Sequence, residues 1–184
     1  MKYFIKIFVL VIAVFVFKGC ELEKEKVQVQ KTPEKEYLIV EKVLDGDTFR
    51  LSNGEKVRLL GIDTPEKYQS DKLESDSKKS GRDKKTIQKL GQLASNYVKE
   101  FAEGRKVYLE REPNHEDRDK YGRLLRYVYL EDGTMINKKI IADGYAYVYD
   151  KYPLTKLDEF RQAYREAREN RKGLWGDIKG FENF

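Results

Sequence analysis

The stretch that most constrains this chain is Arg58 to Glu66, which reads R-L-L-G-I-D-T-P-E. Its first half alternates like a strand, with Val57, Leu59 and Gly61 on one face and Arg58, Leu60 and Ile62 on the other. Thr64-Pro65 ends it, because proline has no N–H for a ladder and restricts the residue before it. Asp63, Thr64 and Glu66 are therefore expected where a strand opens into a loop, with an arginine behind them on a rigid scaffold. A second acidic turn lies upstream in L-D-G-D-T, Leu44 to Thr48. Together the two turns suggest a metal ion and a phosphate held side by side.

The flanking pattern predicts the framework. Leu38 to Val40 with Val43-Leu44 reads as a strand, D-G-D as a tight turn, and Thr48 to Leu51 as the return strand. Asn53-Gly54, a strong hairpin signal, leads into a strand over Lys56 to Ile62. Further strands are predicted at Lys106 to Leu109, Leu124 to Leu130 and, short and aromatic, Tyr145 to Tyr149. Asp132-Gly133 closes another hairpin, and Glu112 to Gly122 forms a charged turn.

Ile87, Leu90, Leu93-Ala94, Tyr97-Val98 and Phe101 recur at helical spacing up to a stop at Gly104. A short helix over Ile136 to Asp143 is expected, capped by Asn137 or a neighbour. Leu157, Phe160, Ala163-Tyr164 and Ala167 mark another, ending by Gly173, after which Leu174-Trp175 packs back as an apolar clamp. Lys67 to Thr86 is nearly devoid of aliphatics and reads as a mobile surface loop. The class is α+β, mainly β, with one domain over residues 37–176 and a tail over 177–184.

The chain has 184 residues, enough for one domain with a real core. Its formal charge of +5 is misleading. Residues 1–19 carry Lys2, Lys6 and Lys18 and no acid, so the remainder holds 34 basic against 32 acidic residues, or +2. Phosphate recognition must then come from local arginines rather than from global charge. The apolar run Ile7 to Phe17 has the length of a signal-peptide core and falls short of the roughly 20 residues a bilayer span needs.

Cys20, the only cysteine, follows Gly19 as in a bacterial lipoprotein signal, while Phe17 and Lys18 depart from that pattern. The expectation is a lipid anchor at Cys20 and a cell-envelope, extracytoplasmic protein; a secreted protein or an uncleaved anchor are the alternatives. Residues 20–36 are almost all charge, Gln, Thr and Pro and read as a solvated tether. A lone cysteine leaves no internal disulfide framework.

Hard cations prefer oxygen ligands, and Ca²⁺ accepts carboxylates, carbonyls and water. Asp47 and Asp63 offer two carboxylates, the Thr64 carbonyl a third ligand, and Asp45 an outer partner. The spacing is not that of an EF-hand, since Phe49 and Arg50 stand where it needs Asp or Asn and Gly. Glu66 is placed to position or deprotonate a water. Arg58 suits two oxygens of a phosphate, and Arg123 in K-Y-G-R is the best second arginine, since charge on the phosphoryl oxygens wants neutralising from more than one side. His115, the sole histidine, sits in the charged turn, which excludes histidine-dependent nuclease sites and leaves Cys-His and Ser-His catalysis without partners.

With these residues in view the chain resembles the staphylococcal nuclease family, the thermonucleases. The matching motifs are D-G-D-T at Asp45 to Thr48, R-L-L-G-I-D-T-P-E at Arg58 to Glu66, D-K-Y-G-R at Asp119 to Arg123 and A-Y-V-Y at Ala146 to Tyr149, in the family's order. The resemblance implies a five-stranded OB-fold barrel with three α-helices. It implies Ca²⁺ ligation by Asp47, Asp63 and the Thr64 carbonyl, with Glu66 as proposed general base and Arg58 and Arg123 on the scissile phosphate. Lys120 and Tyr121 match positions near a terminal phosphate, and Tyr147 and Tyr149 match residues beside the base and sugar. The implied activity is hydrolysis of DNA and RNA, preferably single-stranded, with little sequence preference and 3′-phosphate products. No protein partner is called for and a monomer is expected. The rival readings are a catalytically silent surface module that binds nucleic acid, and a structural envelope lipoprotein. The departures from the family are the long insertion after Glu66 and the altered stretch Glu112 to Arg118.

Overall fold

Strand β1 (Leu38–Asp45) closes the architecture in this computed structural model, because it serves two neighbours at once. Leu38 and Ile39 pair with β5 (Lys106–Glu110), while Val40 to Asp45 pair with β2 (Thr48–Leu51). Register shifts at Val40/Lys42 and Val43/Asp45 bend the strand between them, as an extra residue in a ladder does. The closed order is β1-β2-β3-β6-β5, with β3 at Lys56–Leu59 and β6 at Leu124–Leu130. β3 and β6 run parallel and the other four pairs antiparallel. The five-stranded barrel of the expected α+β class is thus present.

The structure describes residues 35–80, 83–113 and 115–176. The expected signal segment 1–19, Cys20, most of the tether and the tail 177–184 lie outside them. Among the described residues no helix is long and apolar enough to cross a membrane.

Val40, Phe49, Leu51, Val57, Leu59, Val107 and Tyr127 form the heart of the core, all 1% exposed or less. All seven residues of β6 are buried, Arg126 among them. The Arg126 guanidinium is balanced by Asp117 at 2.7 Å.

The strand expected over Lys56 to Ile62 is broken. It stops at Leu59, turns through Leu60-Gly61, and resumes as β4 (Ile62–Asp63), which pairs with β7 (Tyr147–Val148) in a separate two-stranded sheet. Gly61 has φ +74°, and a Cβ there would stand 2.6 Å from the Phe160 ring, so only glycine fits. Leu59, Leu60 and Ile62 are all buried, so the two-face alternation ends at the turn.

A second correction concerns Lys67 to Thr86. Helix α1 (Asp71–Ser80) occupies half of the segment predicted as a loop. The Ser70 hydroxyl accepts from the Leu73 N–H at 3.1 Å, Asp71 and Glu74 favour the positive end of the helix, and Leu73 is completely buried. One leucine suffices because α2 (Lys84–Ala102) runs beside it and joins α1 through the Lys84–Glu74 ion pair.

The three expected helices are all present: α2, α3 (Ile136–Ala142) and α4 (Leu157–Glu169). α2 is capped by Asp83, whose side chain accepts from the Thr86 N–H at 2.9 Å, and it buries Ile87, Leu90, Ala94, Val98 and Ala102. The Asp132-Gly133 turn returns for a single bridge, Tyr129 to Met135, before α3 begins. Asn137 does not cap α3. It is fully buried, accepts from the Val128 N–H at 2.9 Å and donates to the carbonyls of Leu60 at 2.9 Å and Arg126 at 3.3 Å. The C-terminal clamp is a 3-10 turn at Gly173–Trp175, with Leu174 buried and Trp175 edge-on to Tyr147 and Tyr164.

Candidate active site

Pairing register assembles the site. Thr48, first residue of β2, lies opposite Arg58 of β3, which brings Asp47 beside the Arg58 guanidinium. The Arg58 fork reaches Asp47 with one nitrogen, and with the other Asp63 Oδ1 at 3.2 Å and the Ile62 carbonyl at 3.3 Å. Asp47 is 4% exposed. A buried carboxylate needs such compensation, because taking an unpaired charge out of water is costly. The Thr64 N–H and hydroxyl donate to Asp47 Oδ2 at 3.4 and 3.3 Å, and the Thr48 hydroxyl donates to Oδ1 at 2.9 Å. Gly46 lets the acidic turn sit this close, since a Cβ there would lie 2.8 Å from the Thr64 side chain.

Arg123 enters from the residue before β6. Asp119 takes its Nε at 2.7 Å and its Nη2 at 2.6 Å, and Nη1 donates to the Thr48 hydroxyl at 3.3 Å. Thr48 therefore touches both Arg123 and Asp47. The loop carrying Asp119 is held by Arg118, which grips Glu55 of the β2–β3 hairpin bidentately at 2.7 and 2.9 Å.

Burial pulls the Arg58 guanidinium below its ordinary value, Asp63 opposes that, and the nearby Arg123 charge adds to the lowering. Burial also works to raise the Asp119 carboxyl, but hydrogen bonds from Arg123 and from the Tyr121 N–H outweigh it and hold Asp119 low. With the folded value depressed, this contribution to stability is complete above the ordinary carboxylate range and fades as pH falls through the lowered one.

Arg58, Asp63, Arg123, Lys120, Tyr121 and Tyr149 line one cleft of about 910 Å³. Tyr149 is fixed there by its N–H bond to the Gly61 carbonyl at 2.9 Å, and Tyr121 is 72% exposed. Tyr147 is not among the residues lining the cleft; its ring packs edge-on to Trp175. Glu66, two residues beyond Thr64, is half-buried and likewise not among the residues lining the cleft; its carboxylate accepts from the Tyr68 N–H at 3.1 Å.

Sequence reasoning missed Thr48 and Asp119 as partners of the arginines, and it missed Lys67. The Lys67 side chain is 8% exposed. Its ammonium donates to the Leu44 carbonyl and the Ser95 hydroxyl, both at 2.7 Å, with Asp45 at 3.8 Å. It thereby ties the Glu66 loop to the acidic turn and to α2, where Gly91 leaves room for the loop backbone.

The Asp47 and Asp63 carboxylates meet at Arg58, and among the described residues no group of three or more His, Cys, Asp or Glu is placed to hold a metal. A cation at this point would need its remaining ligands from carbonyl and water oxygens. Asp47 and Asp63 with the main chain at Thr64 fit a hard ion of that habit.

The match to known proteins decides the family. The staphylococcal nuclease homologue model matches residues 56–177. The chain belongs to the staphylococcal nuclease homologues. The chain is 33% identical to a thermonuclease of Staphylococcus intermedius over 148 residues, 76% of each chain. An uncharacterized protein of Methanocaldococcus jannaschii is 35% identical over 153 residues, 78% of this chain and 73% of that one. Endonuclease YhcR of Bacillus subtilis is 31% identical over 147 residues, 76% of this chain but 11% of that protein. Within this family nuclease activity is the supported reading, and nucleic acid the substrate it implies.

A staphylococcal nuclease homologue with Lys67→Met is expected to lose roughly 1–3 kcal/mol, because the Leu44 carbonyl and Ser95 hydroxyl lose a charged partner in a buried place. Thermal unfolding should then shift down by several degrees, at about 2–4 °C per kcal/mol for a chain of this size.

Proposed function

We propose that this protein is a calcium-dependent nuclease which hydrolyses DNA and RNA, preferably single-stranded, with little sequence preference and leaves 3′-phosphate ends. The observation that carries the reading is that two guanidiniums, Arg58 and Arg123, line one cleft with the Asp63 carboxylate, while the buried Asp47 carboxylate pairs with Arg58. Calcium held by Asp47, Asp63 and the Thr64 carbonyl would supply Lewis acidity and a bound water of lowered pKa.

The chain's own groups do the rest. Arg58 on β3 and Arg123 in the loop just before β6 approach a phosphodiester from different segments, so charge that grows on its non-bridging oxygens is met from two sides. Both guanidiniums are pre-set by carboxylates, Arg58 by Asp63 and Arg123 by Asp119, so little side-chain freedom is left to lose on binding. Glu66 exchanges its bond to the Tyr68 N–H for a water, takes that water's proton, and the water oxygen attacks phosphorus. The P–O5′ bond breaks and the departing oxygen takes up a proton from solvent. Tyr121 and Tyr149 present ring faces on which bases of any identity can stack. The protein acts outside the cytoplasm, as a monomer, held to the cell envelope by a lipid on Cys20.

The test is digestion of denatured DNA in calcium and in chelator, with Arg123→Ala beside the wild type. Cleavage only with calcium, reduced roughly 10²–10³-fold in the variant, is the expected result. Binding without cleavage in calcium would replace the enzyme by a silent nucleic-acid-binding module.

A further inference from the structure

The cleft extends beyond the residues the family motifs match. Five large side chains among the described residues stand out as exposed, and two of them, Tyr121 and Tyr152, are on this cleft. Tyr121 belongs to the D-K-Y-G-R motif. Tyr152 does not. It lies in the connection between β7 and α4, is 52% exposed, and meets the His115 ring at 5.1 Å with the planes nearly perpendicular. His115 comes from the altered stretch Glu112 to Arg118, so a segment that departs from the family pattern and a residue outside the matched motifs meet on one wall. Tyr149 is next to Tyr152, ring centres 6.3 Å apart, and the Lys151 ammonium lies 5.4 Å from the Tyr149 ring. The N–H of Tyr149 is bonded to Gly61, in the turn between the strands that carry Arg58 and Asp63, which fixes this wall relative to the phosphate-gripping arginines.

We propose that Tyr152, buttressed by His115, is a second base-stacking subsite that holds an unpaired nucleobase of the strand whose phosphate lies on Arg58 and Arg123. The inference rests on the nuclease reading above and extends it to substrate choice. A tyrosine with half its surface in solvent, braced edge-to-face by a second ring, is a stiff platform that costs little to order. Every base has a π-face, so the platform reads no sequence, but it does demand a base freed from a duplex. Lys151 adds positive charge beside the path of the backbone. The subsite therefore favours single strands by stacking, independently of the chemistry at Arg58.

The experiment uses the full chain and a short single-stranded DNA oligonucleotide. Two readouts are taken: steady-state cleavage in calcium, and anisotropy of the labelled oligonucleotide in chelator. Tyr152→Ala is expected to raise KM and the dissociation constant roughly 5- to 30-fold, the loss of one stacked base, with the effect on KM rather than kcat. Tyr152→Phe, which keeps the ring, should restore both. Tyr152→Ala with wild-type KM and affinity would overturn the proposal. So would Tyr152→Phe failing as badly as alanine, or an alanine variant that lowers only thermal stability. If the wild type binds the oligonucleotide through Tyr152 yet never cleaves it, the subsite stands and the nuclease reading falls.

Discussion

Arg58→Ala is expected to lower kcat/KM on single-stranded DNA by roughly 10²–10³-fold, the usual cost of removing one fixed donor from developing phosphoryl charge. The same change should destabilise the protein. Asp47 is nearly buried and Asp63 partly so, and each loses the cation that compensates it. Removing one partner of a buried pair leaves an uncompensated charge worth about 3–5 kcal/mol. That corresponds to a fall of about 10 °C in Tm for a chain of this length. Arg58→Lys separates the two effects: its point charge restores part of the stability but cannot span both carboxylates and a phosphate as a planar fork does. Wild-type turnover in Arg58→Ala, measured well below its own Tm, would remove this residue from the chemistry.

Asn137→Leu is expected to act mainly through stability, with a loss comparable to that of Arg58→Ala. The side chain is fully enclosed, and its amide satisfies the Val128 N–H together with the carbonyls of Leu60 and Arg126. Leucine has nearly the same bulk but leaves the Val128 N–H and the Leu60 carbonyl without that partner. At about 1–3 kcal/mol for each stranded group the loss is roughly 2–5 kcal/mol. Chemical denaturation should show a lower midpoint with an unchanged slope. Leu60 sits in the turn that separates Arg58 from Asp63, so some loss of activity should accompany the loss of stability. A variant as stable as the wild type would mean that these carbonyls find other donors.

The Asn137 case illustrates where sequence reading stops. An asparagine at a helix start has the composition of a cap, and nothing local distinguishes it from a buried amide that joins two strands. The break at Leu60-Gly61 was hidden for a related reason. Leu59, Leu60 and Ile62 are all apolar and all buried, so the pattern carries no sign of which face each one takes. Helix α1 escaped because its one buried aliphatic residue, Leu73, makes no periodicity.

The candidate residues Asp47, Arg58, Asp63 and Thr64 were legible as a group, since they lie close in sequence, in the acidic turn, on β3 and where β4 ends. What binds them to the rest was not. Thr48 and Arg123 meet across 75 residues and Lys67 and Ser95 across 28. Such pairs follow from the closure of the barrel and the seating of α2, and no local pattern announces them.

The most direct test of the account is end-group analysis of a 5′-labelled single-stranded oligonucleotide digested by the full chain. The account predicts 3′-phosphate ends, formed in calcium, absent in chelator and almost absent with Arg58→Ala. Products ending in 3′-hydroxyl groups, or cleavage that survives both the chelator and the substitution, would contradict it.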